Sequence, residues 1–193
     1  MTGVVLCGGQ STRMGFDKGL LEWGALTWVE LSMGKLAAAN LQSVLSLNDS
    51  QYKQYINKFT KISIITDDDS IEVNGPLKGI LSVYLQMPSD DLLVLACDMP
   101  SMDKEVLKYL INESSKGTAD AFVFEDGGQI EPLCAIYTAR GLGKIYRLYE
   151  QKQLKKHSLH YVLENVMTCY LPIAEEWKKC FTNYNSPSDL NVI

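Results

Sequence analysis

The sequence has little of what usually announces a function directly. Histidine occurs only at His157 and His160, and no cysteine or carboxylate is spaced to complete a zinc set with them. The five cysteines, Cys7, Cys97, Cys134, Cys169 and Cys180, are odd in number and form no Cys-x-x-Cys pair. That argues against a disulfide scaffold and against a zinc knuckle, and leaves most of them as small buried apolar residues. No Ser-His-Asp or Cys-His arrangement is visible. No apolar run reaches the roughly 18 residues of a membrane span, and the chain does not open on a basic stretch followed by an apolar one. Lysine and arginine number 18 against 23 aspartates and glutamates, a net charge of -5, so a broad basic surface for nucleic acid is not indicated. A soluble, cytoplasmic protein with no nucleic-acid or membrane partner is expected. No internal repeat, low-complexity segment or linker interrupts the 193 residues, which suit one domain spanning 1–193.

What is present is concentrated near the start, in Val4–Lys18, VVLCGGQSTRMGFDK. An apolar, β-rich beginning runs into Gly8 and Gly9, then Ser11, Thr12 and Arg13, then Gly15, Asp17 and Lys18. A buried strand that turns on glycines into a helix presents backbone N–H groups to an anion. Arg13 and Lys18 add side-chain charge. Lys18 is suited to neutralise a phosphate under attack, and the planar fork of Arg13 to clamp a departing diphosphate. The spacing fits neither the Walker pattern nor Gly-x-Gly-x-x-Gly, which excludes an ordinary dinucleotide dehydrogenase.

Along the chain, strands are expected at 3–7, 41–47, 61–66, 90–97, 119–124, 131–137 and 167–171. A short extended piece is expected within 17–23. Helices are expected at 26–39, 50–59, 79–87, 101–115, 141–149 and 161–166, with Ser101 as a cap for the fourth. The run Leu92–Ala96 is continuously apolar, as a parallel strand buried on both faces requires. Strand, loop and helix repeat in the order of a doubly wound, three-layer α/β/α sheet, mostly parallel, with at least one antiparallel strand at an edge. The strands at 119–124 and 131–137 are expected to pair as a hairpin.

Three further clusters suggest chemistry. Asp98 directly follows the most apolar strand, where a carboxylate needs a cation or N–H donors; magnesium on nucleotide phosphates would supply the reason, and a helix cap the bland alternative. Asp67-Asp68-Asp69 closes another strand, where open α/β sheets place ligand contacts, although a solvated loop explains such a run equally well. Asn183 and Asn185, two apart in an extended stretch, face one side. Their amides suit a phosphate or a metal; by themselves they read as a surface turn.

The pattern GGxSxRMGxDK, continued by Gly19-Leu20-Leu21, resembles the nucleotidyltransferases and most closely the molybdenum-cofactor guanylyltransferases. The resemblance is carried further by Gly75-Pro76-Leu77, by Cys97-Asp98-Met99-Pro100 and by NYNSPSDL near the end. It implies a nucleotide-diphospho-sugar transferase-like fold, with a nucleotide half at about 1–100 and an acceptor half at about 101–193. It implies transfer of GMP from GTP to molybdenum-molybdopterin with Mg2+ on Asp98. Catalytic work falls to Arg13, Lys18 and Asp98. Nucleotide or cofactor contacts fall to Leu6, Cys7, Gly8, Gly9, Lys18, Asn48, Asp68, Gly75, Pro76, Leu77, Asp98, Asn183 and Asn185. Glu131-Pro132-Leu133 falls near the acceptor side. Molybdenum-insertion proteins and molybdoenzyme chaperones are the implied partners. Lys78 departs from the small residue the family carries there and is expected to point outward. Use of CTP, of another acceptor such as a sugar phosphate, or nucleotide binding without turnover are the alternatives.

Overall fold

The structure, a computed structural model, describes residues 1–7 and 17–184. The chain begins with β1 (Thr2–Leu6); a 3-10 turn at Lys18–Leu20 leads to a small ribbon, β2 (Glu22–Trp23) and β3 (Leu26–Thr27). Then come α1 (Trp28–Ala38), β4 (Ser43–Leu47), α2 (Asp49–Lys58), β5 (Ser63–Thr66), α3 (Pro76–Gln86) and β6 (Leu92–Ala96). The second half holds α4 (Lys104–Lys116), β7 (Ala121–Asp126), β8 (Gln129–Tyr137), α5 (Ala139–Glu150), α6 (Leu159–Glu164) and β9 (Thr168–Pro172), and a 3-10 segment at Glu175–Phe181.

Seven strands form one sheet in the order β5-β4-β1-β6-β8-β7-β9. Alternation along the strands divides the core in two. Val5, Leu45, Leu93 and Leu95 face one side, where α1, α2 and α4 pack through Leu36, Tyr55 and Val106. Val4, Val44, Leu92 and Val94 face the other, where α3, α5 and α6 pack through Ile80, Leu142 and Val162. The result is a three-layer α/β/α fold with a mixed, mostly parallel sheet. The unbroken apolar run of β6 is explained by this: all five of its residues are buried, because helices cover both faces.

Two expectations are corrected. The antiparallel strand is not at an edge: β8 lies between β6 and β7, antiparallel to both, whereas the edge strands β5 and β9 run parallel to their neighbours. The physical reason is the two-residue turn at Gly127-Gly128, with Asp126 opposite Gln129, which reverses the chain after β7 and lets β8 enter the gap beside β6. Nor does Ser101 cap a helix. Asp103 is the cap of α4, accepting from the Glu105 N–H at 2.8 Å, and the Ser101 hydroxyl instead meets the Tyr184 hydroxyl at 2.9 Å.

This arrangement brings the C-terminal ends of β1, β4, β5 and β6 to one edge. Because β8 is reversed, it brings its N-terminal half there too. Pro132 has no N–H for a ladder, and the β7–β8 register jumps from Val123 opposite Ala135 to Glu125 opposite Ile130. Residues 131–133 bulge at that jump, and Tyr137 donates its hydroxyl to the Pro132 carbonyl at 2.9 Å to hold the bulge.

Candidate active site

Lys18 and Asp98 meet at this edge. The Lys18 Nζ lies 3.0 Å from Asp98 Oδ2, with both side chains 23% exposed. Asp98 stands one residue past Cys97, whose N–H donates to the Leu6 carbonyl at 3.1 Å, so β1 and β6 run side by side to their ends. Lys18 is delivered there by the turn that follows Asp17. The two charges that the sequence separates by 80 positions are thus a contact pair.

On one side of the pair lies a cleft of about 780 Å³. Its walls include Leu6, Asn48, Asp67, Gly75, Pro76 and Lys78. Gly75 precedes α3 at φ 77° and ψ −162°, a region open in practice only to glycine, and Pro76 fits the first helical position, where an N–H is dispensable. Asn48 serves α2 as well: its side chain accepts from the Gln51 N–H at 3.2 Å, and the Gln51 side chain returns a bond to the Asn48 N–H at 3.2 Å. Desolvation raises the Asp67 carboxyl above its ordinary value, with Lys78 opposing the shift.

On the other side lies a second cleft, about 440 Å³, lined by Met99, the bulged Glu131, Pro132 and Leu133, His160 and Asn183. Burial raises the Glu131 carboxyl. Asn183 is seated by its neighbour: the Tyr184 N–H donates to the Asp98 carbonyl at 3.1 Å, and the Tyr184 ring packs 5.7 Å from Trp23 and 6.4 Å from Trp28.

The structure therefore gathers Leu6, Asn48, Gly75 and Pro76 around one cleft, places Asn183 at the other, and pairs Lys18 with Asp98 at the strand end between them. Cys7 is buried in the core beside them, 6% exposed, with burial pushing its thiol up. Gly8, Gly9, Arg13 and Asn185 lie outside the described residues. Two expected residues sit otherwise. Leu77 is 1% exposed and packs into the core rather than the cleft wall. The Asp68 carboxylate accepts from the Ser70 N–H at 2.8 Å and the Ser70 hydroxyl at 2.6 Å, and it is the neighbouring Asp67 that lines the cleft. Lys78, expected to point outward, lines the same cleft. The sequence reading missed Lys78 because its position on α3 was inferred without the sheet that α3 abuts. His160, which no spacing marks as a ligand, is exposed and also lines the second cleft. The role of Gln51 was legible in principle, since Asn48-x-x-Gln51 is a capping-box spacing.

Among the described residues no group of three or more His, Cys, Asp or Glu is placed to hold a metal ion, and no helix is long and apolar enough to cross a membrane.

Comparison with known proteins agrees with this geometry. Residues 3–165 match the MobA-like NTP transferase domain. A Bacillus cereus protein named "Probable molybdenum cofactor guanylyltransferase" is 32% identical over 151 residues, covering 78% of this chain and 74% of its own. The crystal structure of molybdopterin-guanine dinucleotide biosynthesis protein A from Archaeoglobus fulgidus superposes with a TM-score of 0.80 at 25% identity, over 99% of this chain and 95% of that one. A cytidylyltransferase from Leptospira borgpetersenii, 17% identical with a TM-score of 0.63 over 89% of this chain and 74% of its own, shares the fold. The match across residues 3–165 makes the chain a member of the MobA-like NTP transferase family, a nucleotidyltransferase.

Proposed function

We propose that this nucleotidyltransferase moves GMP from GTP to molybdenum-molybdopterin, giving the guanine dinucleotide form of the cofactor and diphosphate. The observation that carries the reading is the Lys18–Asp98 pair set between two clefts, one of nucleotide size and one of smaller volume. The guanylyltransferase named in Bacillus cereus and the Archaeoglobus protein support the choice of base and acceptor. So does the first cleft, where Asp67 supplies an acceptor for the N–H edge of guanine and Lys78 a donor for its carbonyl oxygen.

In this reading the first cleft, built from about 1–100, holds the nucleotide, and the second, from about 101–193, holds the acceptor. An oxygen of the acceptor's terminal phosphate attacks the α-phosphorus. The new P–O bond forms as the bond to the β-phosphate bridging oxygen breaks, and that oxygen leaves with the diphosphate. A phosphate monoester is already anionic near neutral pH, so the protein need not remove a proton. Its work is alignment and charge stabilisation. The roles assigned are charge neutralisation on the phosphorus oxygens for Lys18, binding of the departing diphosphate for Arg13, and orientation of the acceptor phosphate for Asn183 and Asn185. Asp98, a carboxylate at the end of β6, would hold magnesium together with the nucleotide phosphates. When bound, magnesium would neutralise phosphate charge.

The test is diphosphate release with magnesium and loaded molybdopterin, run with GTP, CTP and ATP in parallel, with and without acceptor. Release with GTP alone, dependent on acceptor, is expected. Release with CTP alone would overturn the base assignment, and acceptor-independent release would overturn the transfer.

A further inference from the structure

Resting on the transferase reading, we propose that Gln51 and Tyr55 of α2 are positioning residues that act through Asp17 to aim Lys18. The Gln51 Nε2 donates to the Cys7 carbonyl at 2.9 Å and to Asp17 Oδ2 at 2.5 Å. One amide therefore ties together the chain on either side of residues 8–16. The Tyr55 hydroxyl donates to Asp17 Oδ1 at 2.7 Å, and the Gly19 N–H donates to the same oxygen at 3.0 Å. Donors from α2 and from the 3-10 turn thus fix both oxygens of the residue next to Lys18.

The donors are themselves held. Gln51 is 9% exposed, and its Oε1 is engaged by the Asn48 N–H. Tyr55 is 0% exposed, and its ring packs 5.5 Å from Phe59. Burial pushes the Tyr55 phenol far above its ordinary range, so it stays a donor. A Cβ on Gly19 would fall 2.3 Å from the Tyr55 hydroxyl oxygen. The triplet Asp17-Lys18-Gly19 then reads as anchor, effector and the space the phenol requires.

Packing alone does not call for these groups. Apolar side chains at 51 and 55 would fill the same volume without the cost of desolvating an amide, a phenol and a carboxylate. What the polar network adds is direction. A catalytic cation misplaced by about 1 Å can lose on the order of 100-fold in rate.

The experiment compares wild type with Tyr55→Phe and Gln51→Met, each alone and with Asp17→Asn. Tyr55→Phe keeps the ring, and Gln51→Met keeps the length of the side chain while removing the amide. Lys18 labelling by an amine-reactive reagent is followed by peptide mass spectrometry in nucleotide-free protein, beside kcat, KM for GTP and the melting temperature. Labelling of Lys18 several-fold faster in either variant is expected, with kcat about tenfold lower. KM should stay near wild type and melting should fall by only a few degrees, and no further loss should appear in the Asp17→Asn background. Unchanged labelling of Lys18 in both variants overturns the proposal whatever the turnover. The labelling needs no substrate, so a wild-type protein that releases no diphosphate would defeat the transferase reading while leaving the positioning role decided on its own readout.

Discussion

Replacing Lys18 with methionine separates catalysis from stability, because the structure sets the two effects at different sizes. At 3.0 Å and an effective dielectric of about 20, the gross attraction between Lys18 and Asp98 is about 5.5 kcal/mol. Both side chains are 23% exposed, so hydration of the separated charges cancels most of it, and the net loss should be about 1 kcal/mol. For a chain of 193 residues that lowers the melting temperature by about 2–4 °C. If the same ammonium stabilises charge on the reacting phosphorus, its removal costs about 100- to 1,000-fold in kcat, or about 2.7–4 kcal/mol. Turnover is measured as diphosphate release under saturating substrates, and stability by thermal unfolding of the same preparation. A kcat within about fivefold of wild type, together with the modest melting shift, would refute the assignment and leave Lys18 a surface ion pair.

Other consequences follow from single residues. Asp120 is 1% exposed and accepts from Arg140 Nε at 2.8 Å, Lys144 Nζ at 2.6 Å and the Met167 N–H at 3.0 Å. Burial alone would raise its carboxyl, but Lys144, Met167 and Arg140 outweigh burial and hold it below the usual range. Its contribution is therefore present above the unfolded carboxyl value near 3.9 and lost as pH falls through the folded one. Asp120→Asn should cost about 3–5 kcal/mol at pH 7, read by urea unfolding, with kcat at low temperature unchanged. Gly75→Ala meets no neighbour within 4 Å, so its cost is the backbone at φ 77°, about 1–3 kcal/mol; unfolding and GTP affinity should both weaken. Burial lowers Lys35 from 10.5 to about 8. The unfolded chain then binds more protons between those values, so stability should rise as pH climbs from about 8 toward 10.5, and Lys35→Met should flatten that rise.

The sequence alone determined the local features. The apolar runs of β1 and β6, and the helical spacing of α1 and α4, are short-range patterns that depend on residues a few positions apart. The charge of Asp17-Lys18 and the turn at Gly75-Pro76 were legible for the same reason, since they lie within a few neighbouring residues; the link of Gly75-Pro76-Leu77 to a nucleotide came from the family resemblance. What only the tertiary structure decided is everything that depends on which strand lies beside which. The place of β8 between β6 and β7 follows from a chain reversal that either sheet edge could have received, and it alone brings Glu131–Leu133 to the edge where Asp98 stands. Whether Asp67 or Asp68 lines the cleft turns on a one-residue rotation after β5, below what a run of three aspartates reveals. Asp17 and Tyr55 are 38 positions apart, and Asp120 and Lys144 are 24 apart. No periodicity links such pairs. They meet because the packing of the sheet and its helices brings both partners to one point and buries one of them, Tyr55 or Asp120, which would be costly to leave without the other.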